Sequence, residues 1–386
     1  MSTNDAVIVS AVRTPVGIGK PQKGVLSGIH PVDLSATILN EVTGRVGLDP
    51  ALVDDVIWGC VSQVGEQSVN VARNAVLAAG FPESVPGVTI DRQCGSSQQA
   101  VNFAVAGVIA GHYDVVVAGG VESMSRVPMF SNAVGGDGPF GPLMNERYDN
   151  GLVNQGISAE MIAAQWNLSR GYLDELAATS QQRAAAARDA GLFDEEIVAV
   201  QTADGLVTQD QGIRPETTVE SLSSLKTPFL EDGVVTAGNA SQISDGSAAL
   251  LIMSSARAAE LGLTPLARVH TVAMAGVDPI IMLTGPIPAT ERALRRSGLS
   301  ISDIGAFEVN EAFASVVGAW LADTGADPAR TNINGGAIAL GHPLGASGAR
   351  LMTTLIHQMR RSGSQYGLQT MCEGGGMANA TILELL

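Results

Sequence analysis

Residues 91–100 read DRQCGSSQQA, and the dozen that follow, VNFAVAGVIAGH, are apolar on nearly every side. The second stretch has the composition of a buried helix, so the first forms its mouth. Gly95, Ser96 and Ser97 are small residues that leave backbone N–H groups open at a helix start. Cys94 therefore faces unpaired donors and the positive end of the macrodipole. That setting lowers a thiol pKa and makes a nucleophile. A lone cysteine also fits as a small, inert core residue, and these ten residues leave both readings open.

Beyond this helix lies the strand-like run DVVVAGG at 114–120. The far end of the chain repeats the arrangement, with a helix opening near GHPLGASGAR (341–350) followed by LQTMCEGGG (368–376). Small residues, a buried helix, a strand and a glycine cluster recur in one order, which implies two related halves packed together. A cleft between them receives Cys94 from one half, and His342 and Cys372 from the other. The runs AVIVSAVR (6–13), ALLIMSS (249–255), ARVHTVAMAG (267–276) and GLQTMC (367–372) alternate with helical stretches at 158–166, 173–190 and 346–361. This is the pattern of βα units around buried strands, an α/β fold. Between Gly119 and about Gly156 the periodicity dissolves, as in a functional loop or the opening of an inserted domain. The expected organisation is a first half of residues 1–118 plus 239–266 carrying the nucleophile, an inserted loop domain at 119–238, and a second half at 267–386.

The 386 residues, 45% of them hydrophobic, are enough for large cores and two domains or more. A net charge of -16 argues against a nucleic-acid or anionic-membrane surface, so an anionic ligand must be held by a local arginine cluster and helix ends. No apolar run reaches the ~18 residues of a membrane span. The opening MSTNDAVIVS does not read as a secretory signal, and the closing ILELL is no peroxisomal address. A cytoplasmic enzyme is the expectation. Cys60, Cys94 and Cys372 show no C-x-x-C or Cys/His spacing, which disfavours a disulfide framework and a zinc site and predicts free thiols. Cys60 reads as core filler; His30, His112, His270 and His357 read as surface or satisfied core histidines. The glycine-rich GIGKPQKG (17–24) lacks phosphate-loop spacing and reads as a turn.

Four segments share one logic: DRQCGSSQQA, VNEAFA (309–314), NGGAIALGHPLGASG (334–348) and MCEGGG (371–376). Together they resemble the thiolase family. VRTPVG (12–17), GGVESMSRVP (119–128), VTAGNASQISDGSAA (235–249) and TGPIPA (284–289) extend the resemblance over nearly the whole chain. It implies the thiolase fold, with two pseudo-symmetric halves in a layered αβαβα arrangement and an inserted loop domain. It also implies acyl transfer between a 3-ketoacyl-CoA and free CoA through an acyl-cysteine, with CoA as co-substrate, no permanently bound cofactor, and a homodimer or homotetramer.

The resemblance assigns Cys94 as nucleophile, His342 as the group that takes its proton, and Cys372 as the acid and base that serves the acetyl-CoA carbanion and the incoming CoA thiol. His342, with a water held by Asn310, implies one oxyanion site; the N–H groups of Cys94 and Gly374 imply another. For CoA it implies Ser241 and Ala237 at the pantetheine amides, Arg214 and Ser221 at the adenine end, and Phe229 and Phe313 along the arm. Ala312, Met282 and Gln155 complete the expected binding set. Met124, Met129 and Met144 read as gap-fillers or parts of an adaptable acyl pocket.

NQG at 154–156 stands where short-chain biosynthetic members carry His-Met-Gly, which points to a degradative enzyme, including those acting on bulky or cyclic acyl groups. Leu283, Ser97 and Ala378 replace glycines common in the family. The competing readings are an acetoacetyl-CoA thiolase, a decarboxylating condensing enzyme on the same fold, and an inactive thiolase-like CoA- or lipid-binding protein. Cys372, as a second active-site cysteine, speaks against the condensing enzyme.

Overall fold

A computed structural model describes residues 5–148 and 151–386; the opening residues 1–4 lie outside it. The first half contributes β1 (Val7–Arg13), β2 (Asp55–Gly59), β3 (Val88–Ile90), β4 (Val115–Ser123) and β5 (Ser244–Met253). Its helices are α1 (Pro31–Gly44), α2 (Val71–Ala78) and α3 (Ser96–Ile109). Between β4 and β5 run α4 (Gln155–Gln165) and α5 (Arg170–Asp189). The second half contributes β6 (Ala267–Gly276), α6 (Pro286–Ser297), β7 (Ala306–Val309), α7 (Ala314–Thr324), α8 (Ser347–Ser362), β8 (Tyr366–Glu373) and β9 (Met377–Leu385).

One mixed sheet carries these nine strands in the order β7-β8-β9-β6-β1-β5-β4-β2-β3. Counted within each half, the first runs third-second-fourth-fifth-first from its outer edge inward. The second matches it, with a single parallel bridge, Phe307 to Thr331, in the place of the third strand. Parallel and antiparallel pairings agree as well: β2 is parallel to β3 and β4, β7 to β8, and the last two pairings in each half are antiparallel. The halves meet where β1 pairs antiparallel with β6 through Val7 with Arg268 and Ile8 with Ala267. The pseudo-symmetry read from the two helix-strand repeats is therefore present strand by strand.

The alternation within each strand sets the layers. Val7, Val9 and Val12 of β1, with Val115 and Val117 of β4, pack against α1 and α2. Ile8 and Ala11, with Val116 and Ala118, face a second core that contains Ala100, Val101, Ala104 and Val105 of α3 and Met352, Leu355 and Ile356 of α8. Ala267, Val269 and Leu383 of the second half close the same core, and its other face packs Phe307, Leu368 and Ile382 against Ala289 of α6 and Trp320 of α7. The order is helices, strands of the first half, central helix pair, strands of the second half, helices, with the two halves of the one sheet joined at β1 and β6. Strands covered on both faces have few polar positions, which explains the continuous apolar runs.

The three central helical stretches of the sequence begin and end within three residues of α4, α5 and α8. β4 continues through Ser123, five residues into the segment 119–238, because Val121, Glu122 and Ser123 still pair with Ser247, Gly246 and Asp245. Within 17–24, Gly17–Ile18 forms a short strand against β5 and the remainder turns. No helix of the described residues is long and apolar enough to cross a membrane.

Candidate active site

The central helices α3 and α8 meet backbone to backbone. The Ala349 N–H donates to Ser97 Oγ at 2.9 Å, so the hydroxyl at 97 stitches the two helices together. Their N-terminal ends consequently lie side by side, and both chemical loops hang from them: Cys94 two residues before α3, His342 five residues before α8. Cys94 is 6% exposed, His342 4% and Cys372 1%. Cys94 packs in one cluster with Leu344 and Met371, neighbours in sequence of His342 and Cys372. The Cys94 and Cys372 thiols are close enough that the charge of one resists ionisation of the other.

The expectation of a low thiol pKa is overturned. Burial pushes Cys94 up to about 12; Glu373 adds to the rise, while the N–H groups of Cys94 itself and of Gly374 oppose it, with Glu122 raising it further. Helix-end donors stabilise a thiolate by less than desolvation penalises it. Cys372 is likewise pushed up, first by burial, then by Cys94 and Glu373. Both sulfurs rest as thiols, so the nucleophile must be made by proton transfer. The donors near Cys94 are the pair expected as an oxyanion site, aimed where negative charge develops.

His342 is the proton acceptor by its tautomer. Ser347 Oγ donates its only proton to the Pro343 carbonyl at 2.8 Å, so across the 2.6 Å contact with His342 Nδ1 it accepts. Nδ1 carries the hydrogen and Nε2 the lone pair. Asn310 Nδ2 approaches Nε2 at 3.3 Å. Burial, followed by the charge of Arg350, pushes His342 down to about 3, which keeps the imidazole neutral.

Two buried carboxylates hold the loops. Glu122 accepts from the N–H groups of Val61 and Gly345 at 2.9 Å each, from Ser62 at 3.0 Å and from Gln67 Nε2 at 2.8 Å, tying the loop after His342 to the first half. Glu311 accepts from Ser180 Oγ, Asn332 Nδ2 and the Ile338 N–H, fixing the segment that carries Asn310. Neither Ser347, Glu122 nor Glu311 stands out in the sequence by charge or spacing. The partners of Glu122 and Glu311 come from distant segments; those of Ser347 are local, and a hydroxyl at the helix mouth just after a histidine was the available signal.

The expected binding residues divide into two groups. Ala312, Phe313, Met282 and Phe229 share one apolar cluster with Cys372, and Leu283 belongs to it. The rings of Phe229 and Phe313 meet edge to face at 6.3 Å. The Ser241 N–H donates to the Ala312 carbonyl at 2.9 Å, which sets Ser241 beside this wall, while Ala237 is exposed a few residues away. Arg214 and Ser221 lie on an exposed segment, and the Ser221 hydroxyl is engaged in a capping box with Thr218. Gln155 sits at the start of α4 with Nε2 beside Gly374. Asn154 is instead the cap of α4, its Oδ1 accepting from the Gly156 N–H at 2.8 Å. Of the pair 154–155, only Gln155 faces the catalytic loops. Met124 packs with Cys94, whereas Met129 is exposed. Cys60 lies in the outer core, and all three cysteines are free thiols.

A buried thiol and a neutral imidazole ahead of two adjoining helices, with two backbone donors and a second thiol on an αβαβα frame, are the equipment of a cysteine-dependent acyltransferase. The chain belongs to the thiolase family: the family descriptions "Thiolase, N-terminal domain" and "Thiolase, C-terminal domain" match residues 6–256 and 263–385. It is 50% identical to the steroid 3-ketoacyl-CoA thiolase FadA6 of Mycobacterium tuberculosis, over 99% of this chain and 94% of that protein. It is 47% identical to a 3-ketoacyl-CoA thiolase of Erwinia tasmaniensis, over 98% of each, and 42% identical to one of Bacillus subtilis, over 99% of each.

Proposed function

We propose that this enzyme is a degradative thiolase that cleaves a 3-ketoacyl-CoA with CoA, giving acetyl-CoA (or propionyl-CoA) and a shortened acyl-CoA. The observation that supports the reading is that Cys94, with the N–H groups of Cys94 and Gly374 beside its sulfur, lies within charge reach of Cys372, while His342, its lone pair on Nε2, precedes the helix packed against that of Cys94. His342 takes the Cys94 proton as sulfur attacks the 3-keto carbon. When the bond between carbons 2 and 3 breaks, the enolate oxygen of acetyl-CoA is held by His342 Nε2–H and a water bound to Asn310, and the Cys372 thiol protonates carbon 2. The acyl group stays on Cys94. The Cys372 thiolate then takes the proton of CoA, whose sulfur attacks the acyl carbonyl while its oxygen rests on the Cys94 and Gly374 N–H groups. Collapse returns the acyl group to CoA and the His342 proton to Cys94.

The wall formed by Phe229, Met282, Leu283, Ile162 and Phe313 supports binding of the pantetheine arm and an apolar acyl group beside Cys372. With the steroid-directed relative, it favours medium, branched or ring-bearing acyl chains over acetoacetyl-CoA. Arg214 and Ser221 are placed at the adenine end in this reading, Ser241 and Ala237 at the pantetheine amides, in a cytoplasmic homodimer or homotetramer. Mixing enzyme with 3-ketoacyl-CoAs of graded size and measuring both kcat/KM and the mass of the Cys94 peptide tests it. An acylated Cys94 and a kcat/KM larger for the bulkier substrates are expected, with Cys94→Ser losing both. Preference for acetoacetyl-CoA promotes the biosynthetic alternative, and no acyl-enzyme with any substrate overturns the proposal.

A further inference from the structure

Glu373 ends β8 immediately after the second thiol, and its side chain is fully buried. Neither carboxyl oxygen has a hydrogen-bond partner among the described residues. That sets it apart from Glu122 and Glu311, each anchored by several donors. A buried carboxyl without donors has little to hold it as an anion. Its position is tightly defined: it lies against Gly95, the capping residue of α3, where a Cβ would overlap Oε1 and stand 2.8 Å from the carboxyl carbon. Only glycine leaves room for the carboxyl there.

The groups facing it are few. From the segment leading into α3 come Asp91, Arg92 and the Cys94 thiol; from β8, Cys372; from β9, the neutral Asn379, whose Nδ2 is 3.0 Å from the same Cβ position. Burial pushes Glu373 up to about 8; Arg92 pulls it down and Asp91 pushes it up again. Its charge in turn raises both thiols.

We infer that Glu373 is a positioning residue whose charge governs ionisation of Cys94: as a neutral acid it lets the proton leave the sulfur, and as an anion it holds the proton there and limits the enzyme on the alkaline side. With the carboxyl neutral, the growing negative charge on sulfur meets the α3 N-terminus and the N–H groups of Cys94 and Gly374. With the carboxyl ionised, a second negative charge sits against the cap of the same helix and cancels that field.

The inference rests on Cys94 as the nucleophile, and alkylation reads that thiol without substrate. Iodoacetamide labelling of the Cys94 peptide is followed against pH in the full chain and in Glu373→Gln, alongside kcat/KM. The ratio of variant to wild-type labelling should rise about tenfold between pH 7 and pH 9, a shift of roughly one pKa unit. The wild-type kcat/KM should bend downward near pH 8 and the variant should not. Parallel labelling curves, or a uniform loss at every pH, overturn the inference and leave Glu373 structural. If the variant does not fold, the wild-type protein decides: its Cys94 labelling rate should climb less steeply with pH above pH 8 than below it, and an unbroken climb through that interval overturns the inference. Diverging labelling curves in a protein that turns over no 3-ketoacyl-CoA would uphold the inference while refuting the proposed function.

Discussion

Gly348→Ala tests whether the seam between α3 and α8 sets the catalytic geometry. A Cβ at 348 would overlap the Gln98 backbone nitrogen and stand 2.7 Å from Gln98 Cβ and 2.9 Å from its Cα, where ordinary contact begins at 3.4 Å. These are atoms of a helix packed between both sheets, so no flexible side chain can swing aside. The helices must part by roughly half an ångström or more. Alanine in a helix gains about 0.5–1 kcal/mol over glycine, but overpacking a filled core costs about 1–3 kcal/mol, so the variant should be less stable by about 1–2 kcal/mol. For a protein of this size that lowers Tm by roughly 1–3 °C. Because Cys94 and His342 hang from the two separated helices, their mutual placement is lost too, and a misplacement near 1 Å costs on the order of 100-fold in rate. The assay is kcat for thiolysis, with calorimetry and iodoacetamide labelling of Cys94 on the same samples. Gly44→Ala, at the end of α1 with open space around its Cβ position, serves as control and should be neutral or stabilising. A Gly348→Ala enzyme with wild-type kcat and Tm would refute the reasoning.

Ser347→Ala removes the acceptor that orients the His342 tautomer, and kcat should fall by on the order of 100-fold or more with little change in KM, read by steady-state kinetics. His342 is held near 3 in the folded chain against 6.5 unfolded, so its contribution to stability is complete above pH 6.5 and is lost as pH falls toward 3. Denaturation midpoints of wild type should fall more steeply than those of His342→Asn over that interval, by up to about 1.4 kcal/mol per pH unit. Gln155→Met should move the kcat/KM ratio toward acetoacetyl-CoA, whereas Asn154→Ala should cost about 1 kcal/mol of stability through the lost cap and leave the ratio unchanged.

What the sequence disclosed was whatever local pattern encodes. The helix following Cys94 and the strand behind it are visible because burial on all sides leaves an unbroken apolar run, and the counterpart helix after His342 is visible through the helical spacing of Leu351, Met352, Leu355, Ile356 and Met359. Their repetition carried the pseudo-symmetry. The third strand of the second half was not visible, since one bridge at Thr331 leaves no alternating pattern. The thiol acidity was read with the wrong sign for a related reason: a helix mouth is legible in ten residues, but the depth at which it is buried belongs to the whole assembly. Asn154 shows the same limit, because whether an asparagine lines a pocket or caps a helix depends on where the next turn begins. Glu373 gave no warning either, as its unpaired state follows from what β9 and α3 place around it.

The segment between β4 and β5 leaves the sheet at Ser123 and returns at Ser244, and these adjacent antiparallel strands pair Ser123 with Asp245. Exit and re-entry are thus next-neighbour positions, a gap that an ordinary hairpin turn would close. About a third of the chain enters and leaves the scaffold at one point, and buried contacts such as Arg13 with Glu196 and Asp210 tie it back to β1. Phe229 reaches the wall beside Cys372 from this segment, while Cys372, Met282 and Phe313 are supplied by the second half. Natural variation, or a designer, has in the stretch around Phe229 a place where the acyl pocket can be reshaped, provided that Ser180, Glu196 and Asp210 of the same segment keep the partners that hold Glu311 and Arg13.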